Sequence, residues 1–205
     1  MKLFVALYIV LNMLLGAPLN TLVDESNPLP RWFDPGLNPE AVAALDALMA
    51  AATGAGHEVH VYSAYRNYGQ QIQTLEREWN VRPQTAIYTV AEAGESEHQL
   101  GTAFDLVWPG LLVEHRDPRN ERLYTWLEEN AHQYGFIVSY PFKEINEWPY
   151  NNRWMPQVTA FIYEPWHIRY VGVALAEEMI AAGYLDPQTS VLPQDFYQPW
   201  APPYP

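Results

Sequence analysis

Two short motifs in this chain contain the residue types that catalytic zinc sites use. His98 and Asp105 lie in the first motif, and Glu164 and His167 lie in the second, about sixty residues later. Zinc in a catalytic site is typically held by three His or carboxylate ligands, with a fourth position left for water. Zinc lowers the pKa of that water from about 15.7 to about 7. The pattern therefore favours a hydrolase in which His98, Asp105 and His167 bind zinc and Glu164 remains as the base.

The apolar surroundings of both motifs support this interpretation. Asp105 lies within residues 103–108, a mostly apolar, strand-like run in which a carboxylate is costly unless it is paired or bound to a metal. His167 follows one β-prone segment, 161–163, and precedes another, 168–171. A single His is more often a surface or core residue than a ligand, because histidine has many roles. The joint pattern favours a metal site.

The motifs also resemble those of a known enzyme family. They are Ser63-Ala64-Tyr65-Arg66-x-x-x-x-Gln71, Ser96-x-His98-x-x-Gly101-x-Ala103-x-Asp105 and Glu164-Pro165-Trp166-His167-x-Arg169-Tyr170-Val171-Gly172. In this order they are similar to the motifs of the zinc D-alanyl-D-alanine carboxypeptidases of the VanY type, peptidase family M15B. The similarity covers roughly residues 22–183.

The resemblance implies a role for several residues and one zinc ion per chain. The implied metal ligands are His98, Asp105 and His167. The implied catalytic groups are Glu164, the general base, and Arg66, which steadies the polarised carbonyl. Gln71 and Ser96 are implied to line the substrate pocket. The implied partner is a peptidoglycan stem peptide.

Two arginines near the motifs are candidates for binding an anion. Arg66 follows a strand-like segment and precedes a helical one, and such junctions often hold functional residues. Its guanidinium suits an oxyanion or a terminal carboxylate, although a salt bridge to a surface acid is the alternative. Arg169 is two residues beyond His167 on a strand, so both point to one face. It is a candidate for binding substrate or for supporting the ligand. For Gln71, a solvent-facing helix position is the alternative.

Composition excludes several classes of protein. The chain has 205 residues, which favours one domain, and we expect a monomer. It has 24 acidic and 11 basic residues, whereas binding to nucleic acid calls for clustered Lys and Arg. It has no Cys, so neither a disulfide nor a thiolate zinc site can form.

The two ends of the chain differ from the middle. Within residues 1–20, Lys2 and the apolar run 3–15 resemble a secretory signal peptide. A short membrane anchor is the alternative, although the run is shorter than the roughly 20 residues that span a bilayer. We expect an exported protein, either periplasmic, associated with the cell wall or secreted. Residues 21–191 form the predicted zinc peptidase domain. The tail, 192–205, is rich in Pro and aromatic residues and is predicted to contain no regular element.

Hydrophobic periodicity predicts an α+β domain. The predicted helices cover 39–52, with Asn38 as the N-cap, then 68–79, 118–134 and 173–182. The predicted strands cover 57–62, 103–108, 136–140, 158–163 and 166–171, and the last two are expected to form an antiparallel hairpin. The resemblance implies a small antiparallel sheet with helices packed around it, as in the Hedgehog and D,D-peptidase-like fold.

Two departures from the family pattern leave the substrate preference open. Ser139 stands where many relatives carry Arg. The segment 143–157 is long and rich in Trp. Its composition suits stacking on sugar rings or the rim of a peptide groove, and an ordered surface loop is the alternative. Three histidines outside the motifs are interpreted as structural or solvent-facing; they are His60, His115 and His132.

These observations predict a zinc carboxypeptidase that removes the C-terminal D-alanine from peptidoglycan stem peptides. The alternatives on the same site are an L,D-carboxypeptidase, a D,D-dipeptidase and a cell-wall endopeptidase. An alternative from another class is a binding module that keeps zinc only for structure, as the related signalling domain of Hedgehog proteins suggests. Glu164 argues against that module, because a structural site has no use for a base.

Overall fold

The computed structural model describes residues 16–113, 116–144 and 161–200 and confirms the predicted α+β architecture. The helices are α1 (Pro39–Gly54), α2 (Tyr68–Val81), α3 (Ala86–Thr89), α4 (Pro118–Asn130) and α5 (Val173–Ala181). The strands are β1 (Thr21–Leu22), β2 (His60–Ser63), β3 (Ala103–Val107), β4 (Phe136–Val138), β5 (His167–Tyr170) and β6 (Gln198–Pro199). Short 3₁₀ helices cover Glu97–Leu100, Ala131–Tyr134 and Pro193–Phe196.

The main sheet has four antiparallel strands in the order β2-β3-β5-β4, and β1 and β6 form a separate parallel pair. Helices α1 and α4 cover one face of the main sheet, where their apolar residues pack on the strands. This core contains Leu45, Leu48, Leu123, Leu127, Phe104, Leu106 and Phe136. Burial of such side chains stabilises the sheet by about 1.5–3 kcal/mol each.

Local sequence signals explain where the helices begin. The Asn38 side chain accepts hydrogen bonds from the backbone N–H groups of Glu40 and Ala41, at 2.9 and 3.0 Å. Such a cap satisfies donors that a helix N-terminus otherwise leaves unpaired. Asn67 and Gln70 form a reciprocal capping box at the start of α2.

In the described part of the chain, no helix is both long and apolar enough to cross a membrane.

Two predictions about the elements are wrong. Residues 161–163 are not a strand, because both edges of β5 are already paired with β3 and β4. No hairpin therefore forms with these residues. The tail also contains regular elements, a 3₁₀ turn and β6. The predictions for residues 1–15, 145–160 and 201–205, and for His115, lie outside the described residues.

Candidate metal centre

The register of the sheet places Asp105 beside His167. On β3, Asp105 lies opposite Ser63 of β2 on one side and His167 of β5 on the other. Directly opposite residues on antiparallel strands share a face, with Cβ atoms about 4.5–5.5 Å apart. Phe104 and Leu106, which flank Asp105 on β3, therefore point to the opposite face, into the core. The alternation along β3 thus presents one carboxylate to the site between two buried apolar residues.

The turn before β3 brings His98 to the same place. Ser96 caps this 3₁₀ turn by accepting a hydrogen bond from the backbone N–H of His98, at 3.4 Å. The chain leaves the turn at Gly101, whose φ is 76°. A Cβ on Gly101 would lie 2.0 Å from the carbonyl oxygen of Gly36, so no larger residue fits without displacing backbone. A tight turn that leads directly into a strand therefore separates His98 from Asp105.

The three side chains converge with the spacing that a metal ion needs. His98 Nε2 lies 3.3 Å from Asp105 Oδ2, and His167 Nδ1 lies 3.0 Å from Asp105 Oδ1. One ligand atom from each residue lies within 4.8 Å of the others. Tetrahedral ligands at zinc bond lengths of about 2.0–2.1 Å would lie about 3.3 Å apart. The donor set and its spacing therefore fit one zinc ion, without large movement.

Hydrogen bonds on the far side of each ring fix which nitrogen faces the site. His98 Nδ1 lies 2.6 Å from the carbonyl oxygen of Ala64, and His167 Nε2 lies 3.1 Å from Glu97 Oε2. A ring binds a metal in its neutral form, which has one N–H, and in that form the N–H must donate to these acceptors. His98 Nε2 and His167 Nδ1 are then free to bind a metal. Metal-binding histidines almost always donate their other N–H in this way.

The electrostatics of the site also suit a cation. Burial and the Arg66 guanidinium lower the pKa of His98 to about 4, so this ring is neutral. Burial lowers the pKa of His167, but the carboxylates of Asp105 and Glu97 outweigh it and raise that pKa to about 10. Burial raises the pKa of Asp105, yet the two histidines hold it far below its ordinary value. The carboxylates therefore favour positive charge at the centre of the cluster.

Glu97 is a residue of this site that the sequence analysis did not identify. Its side chain is buried, and Oε2 accepts hydrogen bonds from His167 Nε2 and from Ser139 Oγ, the latter at 2.6 Å. Oε1 accepts from Arg169 Nη1 at 2.7 Å. Burial raises the pKa of Glu97, but Arg169 and His167 lower it more, to about 2. The ionised carboxylate therefore holds the His167 ring. An acidic residue adjoining the candidate ligand His98 was the available signal.

Arg66 lies at the edge of the cluster, with Nη1 3.9 Å from Asp105 Oδ2. Nη1 also donates to Ser63 Oγ, and Nε donates to Gln71 Oε1 at 2.8 Å. Gln71 is fully buried, and its amide donates to the carbonyl oxygen of Ala91 at 2.7 Å. Gln71 therefore does not face solvent, so that alternative is wrong, and its place at the substrate pocket stays a prediction. Gln71 orients the guanidinium.

Arg169 is fully buried next to the candidate metal site. It shares a side of β5 with His167, but its side chain has no exposed surface and does not line the cleft. It donates to Glu97 and to the backbone carbonyls of Leu19 and Thr21 instead. Binding of substrate by Arg169 stays a prediction. The second interpretation, support of a ligand, agrees with this position.

A cleft of about 1070 Å³ opens over the three candidate ligands. Glu164, Arg66 and Ser96 lie on its wall. Glu164 stays near His167 because its backbone carbonyl accepts from the His167 N–H at 3.0 Å. Burial lowers the pKa of Arg66, and the nearby carboxylates of Asp105 and Glu164 oppose that shift. The cleft therefore combines a metal-binding set, a separate carboxylate and a guanidinium, which is the equipment of a single-metal hydrolase.

Comparison with known proteins gives the family. The sequence model of the family described as "VanY: D-alanyl-D-alanine carboxypeptidase" matches residues 34–173. The chain belongs to this family. A D-alanyl-D-alanine carboxypeptidase of Enterococcus faecalis is 32% identical over 181 residues, which cover 79% of this chain and 62% of the relative.

Solved structures agree with this assignment. A vancomycin-resistance D,D-pentapeptidase VanY variant in complex with Zn(II) superposes with a TM-score of 0.65 at 26% identity, covering 85% of this chain and 96% of that one. The LD-carboxypeptidase LdcB superposes with a TM-score of 0.66 at 27% identity, covering 86% of each chain. The chain spans about half the length of the curated relatives it matches, 48% of one and 62% of another.

Proposed function

We propose that this protein is a zinc carboxypeptidase that removes the C-terminal D-alanine from peptidoglycan stem peptides. The observation that carries the proposal is the placement of Glu164 and Arg66 on the wall of an open cleft, above a buried His-Asp-His set. A purely structural metal site is closed and typically has four protein ligands. In the described residues this cluster has three members, which favours catalysis over a binding module.

The residues present fit zinc as the resident metal. Two neutral imidazole nitrogens and one carboxylate oxygen form a common catalytic zinc set, and His98, Asp105 and His167 would hold the ion. When bound, zinc would supply Lewis-acid chemistry by polarising a carbonyl and acidifying water. A VanY relative was solved in complex with Zn(II), which supports this choice.

The chain's own residues can perform the remaining steps of amide hydrolysis. Glu164 takes a proton from the attacking water and returns it to the departing amine, as a positioned general base and acid does. Arg66 donates hydrogen bonds to the oxygen on which negative charge develops. Ser63 and Gln71 hold the guanidinium in one orientation before substrate binds, so little reorganisation is needed during the reaction.

We expect Arg66→Lys to lower kcat/KM by about two orders of magnitude, which is the typical loss when one oxyanion donor is removed. An ammonium cannot reproduce the planar fork that contacts Ser63 and Gln71. Zinc content should stay at one per chain. Arg119→Lys is the matched control, because Arg119 is exposed and pairs with Asp117 outside the cleft. Equal kcat/KM in the two variants would contradict the role of Arg66.

The substrate assignment rests on the similarity to carboxypeptidases and on the Arg66 guanidinium beside the ligand set. A muramyl pentapeptide ending in D-Ala-D-Ala should lose one alanine, and the same peptide with an amidated C-terminus should react at least about tenfold more slowly, because a site built to bind a charged group discriminates strongly against its absence. Mass spectrometry of the products is the measurement. Equal rates would instead favour an endopeptidase.

An L,D-carboxypeptidase is the second candidate, because LdcB superposes as well as VanY does. A tetrapeptide with one terminal D-alanine, included in the same digest, separates the two activities. We also propose that the protein acts outside the cytoplasmic membrane, where peptidoglycan lies, as the apolar run near the N-terminus suggests. A fusion to a reporter that is active only after export tests that location.

A further inference from the structure

Arg169 connects three segments that are distant in sequence. One guanidinium nitrogen, Nη1, donates to Glu97 Oε1 at 2.7 Å. The other, Nη2, donates to the backbone carbonyls of Leu19 at 2.8 Å and Thr21 at 2.7 Å. The face of the Tyr197 ring lies 4.1 Å from the central carbon of the guanidinium. A segment near each end of the described chain thus contacts the same buried cation.

The Glu97 carboxylate transmits this arrangement to the metal site. Its Oε1 accepts from Arg169, and its Oε2 accepts from His167 Nε2 and from Ser139. Both carboxylate oxygens are therefore committed, and their directions determine how the imidazole of His167 is turned. Partners of this kind typically change metal affinity about 10- to 100-fold when they are lost.

Arg169 depends on these contacts for its position. Its Nε is buried and has no hydrogen-bond partner in the described part of the chain. Removal of a guanidinium from water costs free energy, so each remaining contact of Arg169 helps to offset that cost. Removal of the Tyr197 ring would open this side of Arg169 to water. The guanidinium would then be held less firmly against Glu97.

Tyr197 contributes through its ring and not through its hydroxyl. The side chain is 5% exposed, and its hydroxyl oxygen is buried without a hydrogen-bond partner among the described residues. A desolvated cation over an aromatic face is attracted by the ring quadrupole. The adjoining pair of β1 and β6 places the ring, because the backbone N–H of Gln198 donates to the carbonyl oxygen of Asn20 at 2.8 Å. The tail is therefore docked at a defined register.

We propose that Tyr197 is a positioning residue for the metal centre, acting through Arg169 and Glu97 on the ligand His167. The C-terminal segment 193–200 is thus a working part of the site and not only a covering of the domain. This inference rests on the proposed zinc site. It assigns no contact between Tyr197 and substrate.

Three variants of the full chain test the proposal. Tyr197→Leu removes the aromatic face and keeps apolar bulk. Tyr197→Phe keeps the face and removes only the unpaired hydroxyl. Trp200→Leu is the control for docking of the same segment, because Trp200 packs on Phe33, at 4.7 Å between ring centroids, and not on Arg169. The measurements are zinc affinity by competition with a chelator and the visible spectrum of the Co(II)-loaded protein.

We expect Tyr197→Leu to weaken zinc binding about tenfold and to alter the Co(II) spectrum. Tyr197→Phe and Trp200→Leu should bind zinc within about twofold of the wild type, even if Trp200→Leu lowers the melting temperature. Equal zinc affinity in the Leu and Phe variants of Tyr197 would overturn the proposal. An equal loss in Trp200→Leu would also overturn it, because general docking of the tail would then explain the effect.

The same experiment separates this inference from the proposed function. A wild-type protein that binds no zinc would refute both the zinc site and the role of Tyr197. Zinc binding by the wild type with no change in Tyr197→Leu would refute only the positioning role. If Tyr197→Leu does not fold, Tyr197→Met makes the same test, since its flexible side chain fills irregular gaps without an aromatic face.

Discussion

Glu164→Gln should lower the rate of peptide hydrolysis by about 10²- to 10⁴-fold, the usual contribution of a positioned general base. The amide has nearly the same shape as the carboxylate but cannot accept a proton from water at neutral pH. Glu164 lies on the cleft wall beside His167, outside the three-member ligand set. The variant should therefore keep its zinc and its fold while it loses turnover.

The control for this variant is Glu177→Gln, because Glu177 is an exposed residue of α5 that does not line the cleft. Its kcat should match that of the wild type. Zinc content measured on the same samples distinguishes loss of the base from loss of the metal. Near-normal turnover in zinc-loaded Glu164→Gln protein would show that another group moves the proton.

Replacement of His98, Asp105 or His167 by Ala should remove the metal and abolish hydrolysis. Each substitution deletes one of the three donors that converge in the described part of the chain. Loss of Asp105 would also remove a contact to each imidazole, because one of its oxygens lies 3.3 Å from one ring nitrogen and the other lies 3.0 Å from the second ring. Elemental analysis after dialysis should find about one zinc per wild-type chain and much less in each variant.

His60→Ala is the matched control for these substitutions, because His60 is exposed on the edge strand β2 and does not line the cleft. It should retain zinc and activity. Thermal unfolding of each variant without metal shows whether the fold survives the change. Full zinc content in all three ligand variants would contradict the assignment of the metal centre.

The sequence indicated the candidate ligands because each of them is a polar residue within an apolar run or at a tight turn. An Asp inside the apolar strand β3 needs a cation, and alternation along that strand determines which face it occupies. The steric demand at Gly101 is likewise visible as a glycine between two candidate ligands. These signals are local, so a single sequence contains them.

The role of Glu97 and the burial of Arg169 were not predictable in the same way. Alternation correctly placed Arg169 on the same side of the strand as His167, but it could not show the depth at which the Arg169 side chain is buried. That depth results from segments 148 to 150 residues away in sequence, whose backbone carbonyls accept from the guanidinium. Glu97 likewise acquires its function only when Arg169 on β5 and Ser139, just after β4, reach it.

The tail was misjudged for a related reason. Its prolines lack an N–H and disfavour regular structure in isolation, which is why the sequence predicts no element there. Pairing with β1 requires only a short extended stretch, and the backbone N–H of Gln198 donates to the carbonyl oxygen of Asn20. The Arg169 guanidinium then gives Tyr197 a specific partner. Tertiary contacts with a distant segment therefore override the local preference.

The most direct test of the metal centre is an anomalous difference map at the zinc absorption edge, from crystals of the wild-type protein with zinc. We predict a single peak in the cleft, about 2.0–2.2 Å from His98 Nε2, His167 Nδ1 and one oxygen of Asp105, with the Glu164 carboxylate outside bonding distance. The absence of a peak between these residues, or a peak ligated by Glu164 in place of one of them, would contradict the account.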